Sequence, residues 1–113
     1  MLLTGITLTF LKQFALGLWL TSPLLLTLAL IILLLGRTAG KKEGWPPFDS
    51  FYWSFITATT VGYGDIRPVK PASRIIAIVI GFLGLTMTGI LISVAVHAAT
   101  LALAAHDAAE KLK

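Results

Sequence analysis

The sequence lacks cysteine and contains few charged residues. Of its 113 residues, 12 % are Asp, Glu, Lys or Arg, while 57 % are hydrophobic. The absence of cysteine excludes disulfide bonds and a cysteine-ligated metal site. The mean hydropathy of +0.90 is far above that of an ordinary globular domain, so the composition indicates a membrane protein.

Charge is missing altogether from two long stretches, residues 13–36 and 75–105. Each is longer than the roughly 20 residues that a helix needs to cross the hydrocarbon core of a bilayer. The first stretch is too long for a cleaved signal peptide and is not followed by a soluble domain. Because two spans in so short a chain bury little core between them, we expect an oligomer.

Several classes of function find no support in the residues. The basic residues behind the formal charge of +4 are scattered and form no basic helix, which argues against nucleic-acid binding. An enzyme is not expected, because no nucleophilic triad and no phosphate-binding glycine loop can be recognised. No helix carries arginine at every third position, as a voltage sensor does.

Prolines and glycines divide the chain into segments. A hydroxyl residue before Pro23 is typical of a helix start, because proline at the first helical position loses no hydrogen bond. This pattern predicts an interfacial helix over residues 1–20 and an outer spanning helix over residues 22–40. The alternative is one helix from about Phe14 to Leu35 that is kinked at Pro23.

A polar turret follows at residues 41–46, and Pro47 then starts a predicted short helix over residues 47–59. About 12 residues at about 1.5 Å each reach about 18 Å, little more than half of the bilayer. This helix can enter the membrane but cannot cross it. A second spanning helix is predicted over residues 73–104, with a polar tail over residues 105–113.

Between the short helix and the second span lies Thr60-Val61-Gly62-Tyr63-Gly64. Irregular backbone at membrane depth is tolerated only where it is buried in protein or lines a water-filled path. Glycine at alternate positions permits backbone angles that other residues avoid, and alternating angles can aim successive carbonyl groups to one side. Such strips from several chains around an axis can replace the hydration shell of a cation.

In this context the sequence TVGYG resembles the selectivity filter of potassium channels. The chain resembles a two-transmembrane, tetrameric potassium channel over nearly its whole length, in the order outer helix, turret, pore helix, filter and inner helix. The resemblance implies an all-α membrane protein in which two transmembrane helices flank a re-entrant pore helix and a filter loop, assembled as a fourfold tetramer.

The resemblance also implies roles for the filter residues. Ion-binding carbonyls are expected from Thr60, Val61, Gly62 and Tyr63, with the Thr60 hydroxyl completing the innermost site, and Gly64 ends the strip. Potassium at this site is the permeant ion, and no other cofactor is expected.

The pore helix is expected to support the filter. Trp53 should hold the ring of Tyr63, which points away from the pore, and Asp65 should pair with pore-helix groups that include Trp53. The carboxyl ends of the pore helices, near Ala58 and Thr59, would favour a cation in a central cavity.

The resemblance also implies roles for three glycines of the second span, and two other residues depart from the family pattern. Gly84 falls at the hinge position of the inner helix, whereas Gly81 and Gly89 are expected to serve close helix packing. Ile56 stands where some members carry a glutamate behind the filter, so that hydrogen bond is absent here. Arg67 stands where some members carry an aromatic that cradles external quaternary ammonium ions.

Two histidines carry weaker signals. His97 lies within the second span, where it is either a pH sensor lining the inner pore or a neutral packed histidine. His106 lies beyond the span and is expected to be solvated. Their separation of nine residues matches no common metal-binding spacing.

The basic residues give one contradictory signal. The positive-inside rule would place the connection between the spans in the cytoplasm, because six basic residues lie there and three lie on the terminal side. The family arrangement instead has both termini in the cytoplasm of a multi-pass plasma or inner membrane protein. We adopt it because the filter is the more specific feature. The six residues are Arg37, Lys41, Lys42, Arg67, Lys70 and Arg74.

The predicted function is passive, potassium-selective conduction by this chain and three further copies of it in a lipid bilayer, without nucleic acid. Two alternatives stay open: a cation channel that also passes sodium, and a non-conducting or regulatory subunit that keeps the pore fold. The chain is also compatible with being the pore module of a longer channel with a cytoplasmic regulatory domain.

Overall fold

A computed structural model describes residues 2–112, except for the side chain of Leu2. The described residues form three helices and no strand: α1 (Leu2–Glu43), α2 (Pro47–Ala58) and α3 (Pro71–Lys111). Both α1 and α3 are long and apolar enough to cross a membrane, with mean hydropathies of 2.5 and 2.6 in their most apolar windows. Because α2 has only 12 residues, it cannot cross. The predicted all-α class is confirmed.

The predicted helix boundary at Pro23 is wrong, because α1 continues through this residue. Pro23 has no N–H to donate to the carbonyl of Trp19, four residues earlier. Ser22 Oγ donates a hydrogen bond to that carbonyl instead, at 2.6 Å. Thr21 Oγ1 similarly donates to the carbonyl of Gly17 at 2.8 Å. The hydroxyl groups that suggested a helix cap therefore satisfy carbonyls inside a helix, and residues 1–20 and 22–40 are not separate elements.

The ends of the helices also differ from the predicted ones. α1 ends at Glu43 and is followed by Gly44, whose φ of 78° suits glycine, and the N–H of Trp45 donates to the carbonyl of Gly40 at 2.9 Å. Residues 41–43 of the predicted turret are consequently helical. α3 begins at Pro71, where proline suits the first turn, and continues to Lys111 through most of the predicted tail.

The chain forms two compact units. The central unit is Leu24–Thr88, and the terminal unit comprises the described residues up to Pro23 and from Gly89. In the central unit, all three helices contribute to one apolar core, which fixes α2 on the other two helices. The core residues are Ile32, Ala39, Trp53 and Ile80.

Four small residues bring α1 and α2 into close contact. A Cβ on Gly36 would lie 1.5 Å from Ser54 Oγ, and one on Gly40 would lie 1.8 Å from Ser50 Oγ. Both serines are buried, and Ser54 Oγ donates a hydrogen bond to the Ser50 carbonyl at 2.7 Å. Small residues four apart allow membrane helices to approach closely. The sequence analysis missed this contact, although the spacing of the two glycines signalled it.

Replacing Gly36 with alanine is expected to lower the free energy of unfolding by about 1 to 3 kcal/mol, because the new Cβ overlaps the Ser54 side chain. The loss should appear as a lower midpoint of thermal unfolding in detergent. Ser54→Gly in the same chain removes the overlapping atoms, so the double variant should regain most of the lost stability. Equal losses in the single and double variants would contradict this packing.

The terminal unit packs α1 against α3 through another glycine. A Cβ on Gly17 would lie 2.6 Å from Val94 Cγ1, and Ala98 and Ala102 are buried. His106 is partly buried beside an open groove of about 220 Å³ between these helices, so it is less solvated than expected. His97 is exposed on α3, so residues of its own chain do not bury it.

Candidate ion pathway

α2 directly precedes the candidate filter, residues 60–64, in the chain. Pro47 and Asp49 in its first turn favour helix initiation, the latter through the positive end of the helix dipole. The helix ends at Ala58, with Thr59 as the C-terminal cap. One face of α2 is buried in the central unit, whereas Phe55 on the other face is 61 % exposed.

The sign of the backbone angle φ alternates along the five filter residues. Thr60, Gly62 and Gly64 have φ values of 65°, 54° and 82°, and neither Val61 nor Tyr63 has a positive φ. A positive φ is uncommon for threonine, so Thr60 adopts a conformation that isolated chains avoid. This alternation is the backbone property that a strip of carbonyl groups on one side requires, and the glycine spacing predicted it.

The first filter residues are tied to the end of α2. The N–H of Thr60 donates to the carbonyl of Thr57 at 3.2 Å. The N–H groups of Val61 and Gly62 both donate to the carbonyl of Ile56, at 3.0 and 3.2 Å. Ile56 lacks the polar side chain that some family members have here, but its main-chain carbonyl binds the filter directly.

The predicted contact between Trp53 and Tyr63 is not formed within the described chain. Trp53 is buried in the core of the central unit, with its ring centroid 5.1 Å from that of Trp45. Tyr63 is 73 % exposed, and Val61 is 49 % exposed. The single chain therefore leaves the filter side chains uncovered.

Asp65 lies near Tyr52, the residue that precedes Trp53, and the pairing of Asp65 with Trp53 stays a prediction. The hydrogen bond of Tyr52 to the Asp65 carboxylate, followed by burial and the nearby negative charge, raises the pKa of Tyr52 above its ordinary value of 10.0. Asp65 Oδ1 also accepts the N–H of Ile66 at 3.1 Å. The sequence analysis gave Tyr52 no role at the filter. The signal available was its place one residue before Trp53.

Tyr52→Phe is expected to lower the thermal stability of the protein at neutral pH, because it removes the phenol that binds Asp65. The raised pKa means that this contribution is fully present below pH 10 and is lost as the pH rises through the folded-state pKa. The difference in unfolding midpoint between the parent and variant proteins should therefore shrink in alkali. A difference that does not change with pH would exclude this hydrogen bond as its cause.

Gly84 is the glycine of α3 that packs against α2. A Cβ on Gly84 would lie 2.1 Å from the carbonyl oxygen of Ala58 and 2.6 Å from its Cα. Gly81 and Gly89 have nothing within 4 Å of a built Cβ, so their predicted packing role is wrong within this chain. No other described residue of the chain fills the space beside these two glycines on α3. The hinge role of Gly84 stays a prediction.

Two of the six basic residues in the connection between the spans bind main-chain carbonyls. Lys70 Nζ donates to the carbonyl of Lys42 at 2.6 Å, and Arg74 Nε donates to the carbonyl of Pro68 at 3.2 Å. Part of the positive charge that contradicts the positive-inside rule therefore stabilises the loop that follows the filter.

Comparison with known proteins identifies similar sequences. A family model described as "Ion channel" matches residues 19–100. The TWiK family of potassium channels protein 7 of Caenorhabditis elegans is 44 % identical over 69 residues, which are 58 % of this chain and 12 % of that protein. The voltage-gated potassium channel of Aeropyrum pernix is 42 % identical over 45 residues, 40 % of this chain and 15 % of that protein.

A plant relative has a similar coverage. Two-pore potassium channel 1 of Arabidopsis thaliana is 45 % identical over 45 residues, 40 % of this chain and 12 % of that protein. The chain thus spans only 12 to 15 % of the length of these three curated relatives. No solved structure matches it.

Proposed function

Because the chain belongs to the ion channel family, we propose that it forms a potassium-selective pore that conducts passively across a membrane. The observation that carries this proposal is the alternation in the sign of φ from Thr60 to Gly64, directly after a helix too short to cross the bilayer. The names of the three relatives support potassium as the permeant ion.

Conduction depends on replacing the water that surrounds the ion. We assign this to the carbonyl groups of Thr60, Val61, Gly62 and Tyr63 and to the Thr60 hydroxyl. Several adjacent sites and repulsion between neighbouring ions keep binding weak enough for rapid release. The negative end of the α2 dipole at Ala58 favours a cation below these sites. Potassium is the transported ion in this mechanism, and no further cofactor is required.

Four copies of the chain are proposed to surround the pore. A strip of carbonyls from one chain cannot enclose an ion, and the exposure of Val61 and Tyr63 supports their being covered by neighbouring copies. We propose no partners other than these copies and the lipid bilayer. Both termini are assigned to the cytoplasm, where a longer channel would carry a regulatory domain. The gate is assigned to the inner helices near Gly84 or to the filter itself.

Flux through liposomes containing the purified chain tests this function. Flux under a potassium gradient, none under a sodium gradient, and inhibition by barium are expected. Equal flux of both ions would reject selectivity in favour of a general cation pore. Absence of flux under every gradient would favour a non-conducting subunit. Chemical crosslinking of the same sample should give a ladder that ends at four chains, and a shorter ladder would reject the homotetramer.

Arg67 is expected to make the pore resistant to external tetraethylammonium. Its Cδ lies 4.0 Å from the position of a Cβ on Gly64, so this cation lies beside the end of the filter. Four such charges repel a quaternary ammonium ion, whereas Arg67→Tyr supplies aromatic rings that attract one through cation–π contact. Dose–response curves for barium-sensitive flux should shift to lower blocker concentration in Arg67→Tyr. Micromolar sensitivity of the parent protein would contradict the expectation.

A further inference from the structure

In the terminal unit, α3 carries a polar stripe that its own chain does not cover. Ser93, His97 and Thr100 are all exposed, and their spacing of four and then three residues places them along one face of the helix. The buried residues of the same segment, Ala98 and Ala102, lie on another face. The stripe is therefore free to meet water or a neighbouring copy of the chain.

Lipid is a poor environment for this stripe. Over residues 13–22 of α1, the exposed residues are all apolar, as suits a surface in contact with lipid. They are Ala15, Leu16, Trp19 and Leu20. Over residues 89–100, α3 instead exposes the polar stripe beside apolar residues such as Ile92. Because ionisable groups inside a membrane face the bundle interior or a water-filled path, the stripe belongs on the side of the central pathway in an assembly of four copies.

Within the stripe, the imidazole of His97 is the group available to a ligand. The two hydroxyl groups have partners in the helix, since Ser93 Oγ donates to the carbonyl of Gly89 at 2.8 Å and Thr100 Oγ1 donates to the carbonyl of Val96 at 2.9 Å. None of the hydrogen bonds found among the described residues involves the His97 imidazole. A neutral imidazole has one nitrogen with a free lone pair, which is the atom that binds transition metals.

One copy of the chain cannot build a metal site around this histidine. The described residues contain no group of three or more His, Cys, Asp or Glu side chains that could hold a metal ion. In a fourfold assembly, however, each copy contributes one His97 to a ring around the pore axis. Ligands related by a fourfold axis lie in one plane, so a metal ion on the axis meets a square and not a tetrahedral set of nitrogens. Square sets of nitrogen ligands are typical of Cu²⁺ and Ni²⁺, whereas Zn²⁺ prefers tetrahedral sites.

We propose that the four His97 imidazoles form a binding site for Cu²⁺ or Ni²⁺ in the ion pathway, and that the bound metal ion blocks the flow of potassium. This inference rests on the proposed potassium conduction by four copies. A divalent ion on the axis occupies the pathway and repels potassium through its charge. Mg²⁺ prefers oxygen ligands, so it should not block through this site.

Copper binding to the purified chain, without a histidine tag and in detergent, tests the site independently of conduction. Electron paramagnetic resonance during a Cu²⁺ titration should show one tightly bound ion per four chains, with hyperfine structure from equivalent imidazole nitrogens. His97→Ala should lose this signal, and so should His97→Asn, which keeps a polar side chain. His106→Ala, the matched change at the other histidine of the chain, should keep it. A signal that survives in His97→Asn would overturn the site, as would a parent protein that binds no Cu²⁺.

Current recordings from the full chain in planar bilayers test the block. The half-blocking concentration of Ni²⁺, added on the side of the chain termini, should rise by about tenfold or more in His97→Asn. Loss of a ligand weakens metal binding at least as much as loss of a group that only orients one. His106→Ala should match the parent protein, and Zn²⁺ should block the parent protein less strongly than Ni²⁺. Equal Ni²⁺ block of the parent protein and His97→Asn would overturn the proposal, and stronger block by Zn²⁺ would overturn the square arrangement.

The two measurements separate this inference from the proposed function. A parent protein that conducts potassium but shows no His97-dependent metal binding would overturn the metal site and leave conduction supported. A parent protein that binds one Cu²⁺ per four chains through His97 but carries no current would support the site and reject the proposed conduction, and the block with it.

Discussion

Gly84→Ala will abolish potassium flux and destabilise the protein by about 3 kcal/mol. The added Cβ would lie 2.1 Å from the carbonyl oxygen of Ala58 and 2.6 Å from its Cα, and these backbone atoms cannot rotate away. Either α3 or the last turn of α2 must therefore move. The carbonyl of Ile56, in that same turn, accepts the N–H groups of Val61 and Gly62, so the displacement reaches the filter.

The matched control for this change is Gly81→Ala, three residues earlier on the same helix. Because nothing lies within 4 Å of a Cβ at Gly81, this variant should assemble and conduct like the parent protein. Thermal unfolding and crosslinking in detergent should be measured beside flux. If Gly84 served only as a hinge, Gly84→Ala would keep its stability and its four-chain ladder while conducting less, which would contradict the packing argument.

Gly62→Ala is expected to remove the preference for potassium over sodium, or to stop flux altogether. Gly62 has a φ of 54°, and a side chain in this left-handed region costs roughly 1 to 2 kcal/mol per chain. Since nothing lies within 4 Å of a Cβ at this position, strain in the backbone rather than crowding within the chain should cause the effect. Four strained copies would relax by turning the carbonyl groups away from the ion.

Gly44→Ala imposes the same strain at a place remote from the filter. Gly44 has a φ of 78° and equally open surroundings, but it directly follows the last residue of α1. We therefore expect a lower unfolding midpoint in both variants and a change in ion selectivity only in Gly62→Ala. The measurement is liposome flux under matched potassium and sodium gradients. Unchanged selectivity in Gly62→Ala would show that the alternating backbone does not determine which ion passes.

The features that the sequence predicted well have local causes. The start of the short helix α2 was predicted from Pro47, and its end from the glycine-rich turn that comes after it. Its 12 residues agree with the predicted half-membrane length. The alternating backbone follows from glycine at positions 62 and 64. Both depend on residues that are neighbours in the chain, so composition and spacing were sufficient to predict them.

Apart from the helix boundary at Pro23, which has a local cause, the features that were missed depend on residues far apart in the chain. Pro23 looked like a helix start, but Ser22 Oγ satisfies the carbonyl that proline leaves without a donor, and α1 continues. Gly84 was predicted as a hinge, yet its contact with Ala58 could be recognised only once α3 lay against α2. The proximity of Asp65 to Tyr52 likewise depended on how α2 is rotated, which buries Trp53 in the core.

By itself, the sequence determined that this is an apolar, helical chain with two long helices, a short one and a filter motif, because hydropathy and backbone freedom are properties of consecutive residues. Only the tertiary structure decided which glycines are packed and which aromatic residue lies near Asp65. Those contacts depend on helix rotation and on the distance between helices, which are set by the side chains of all three helices packing together.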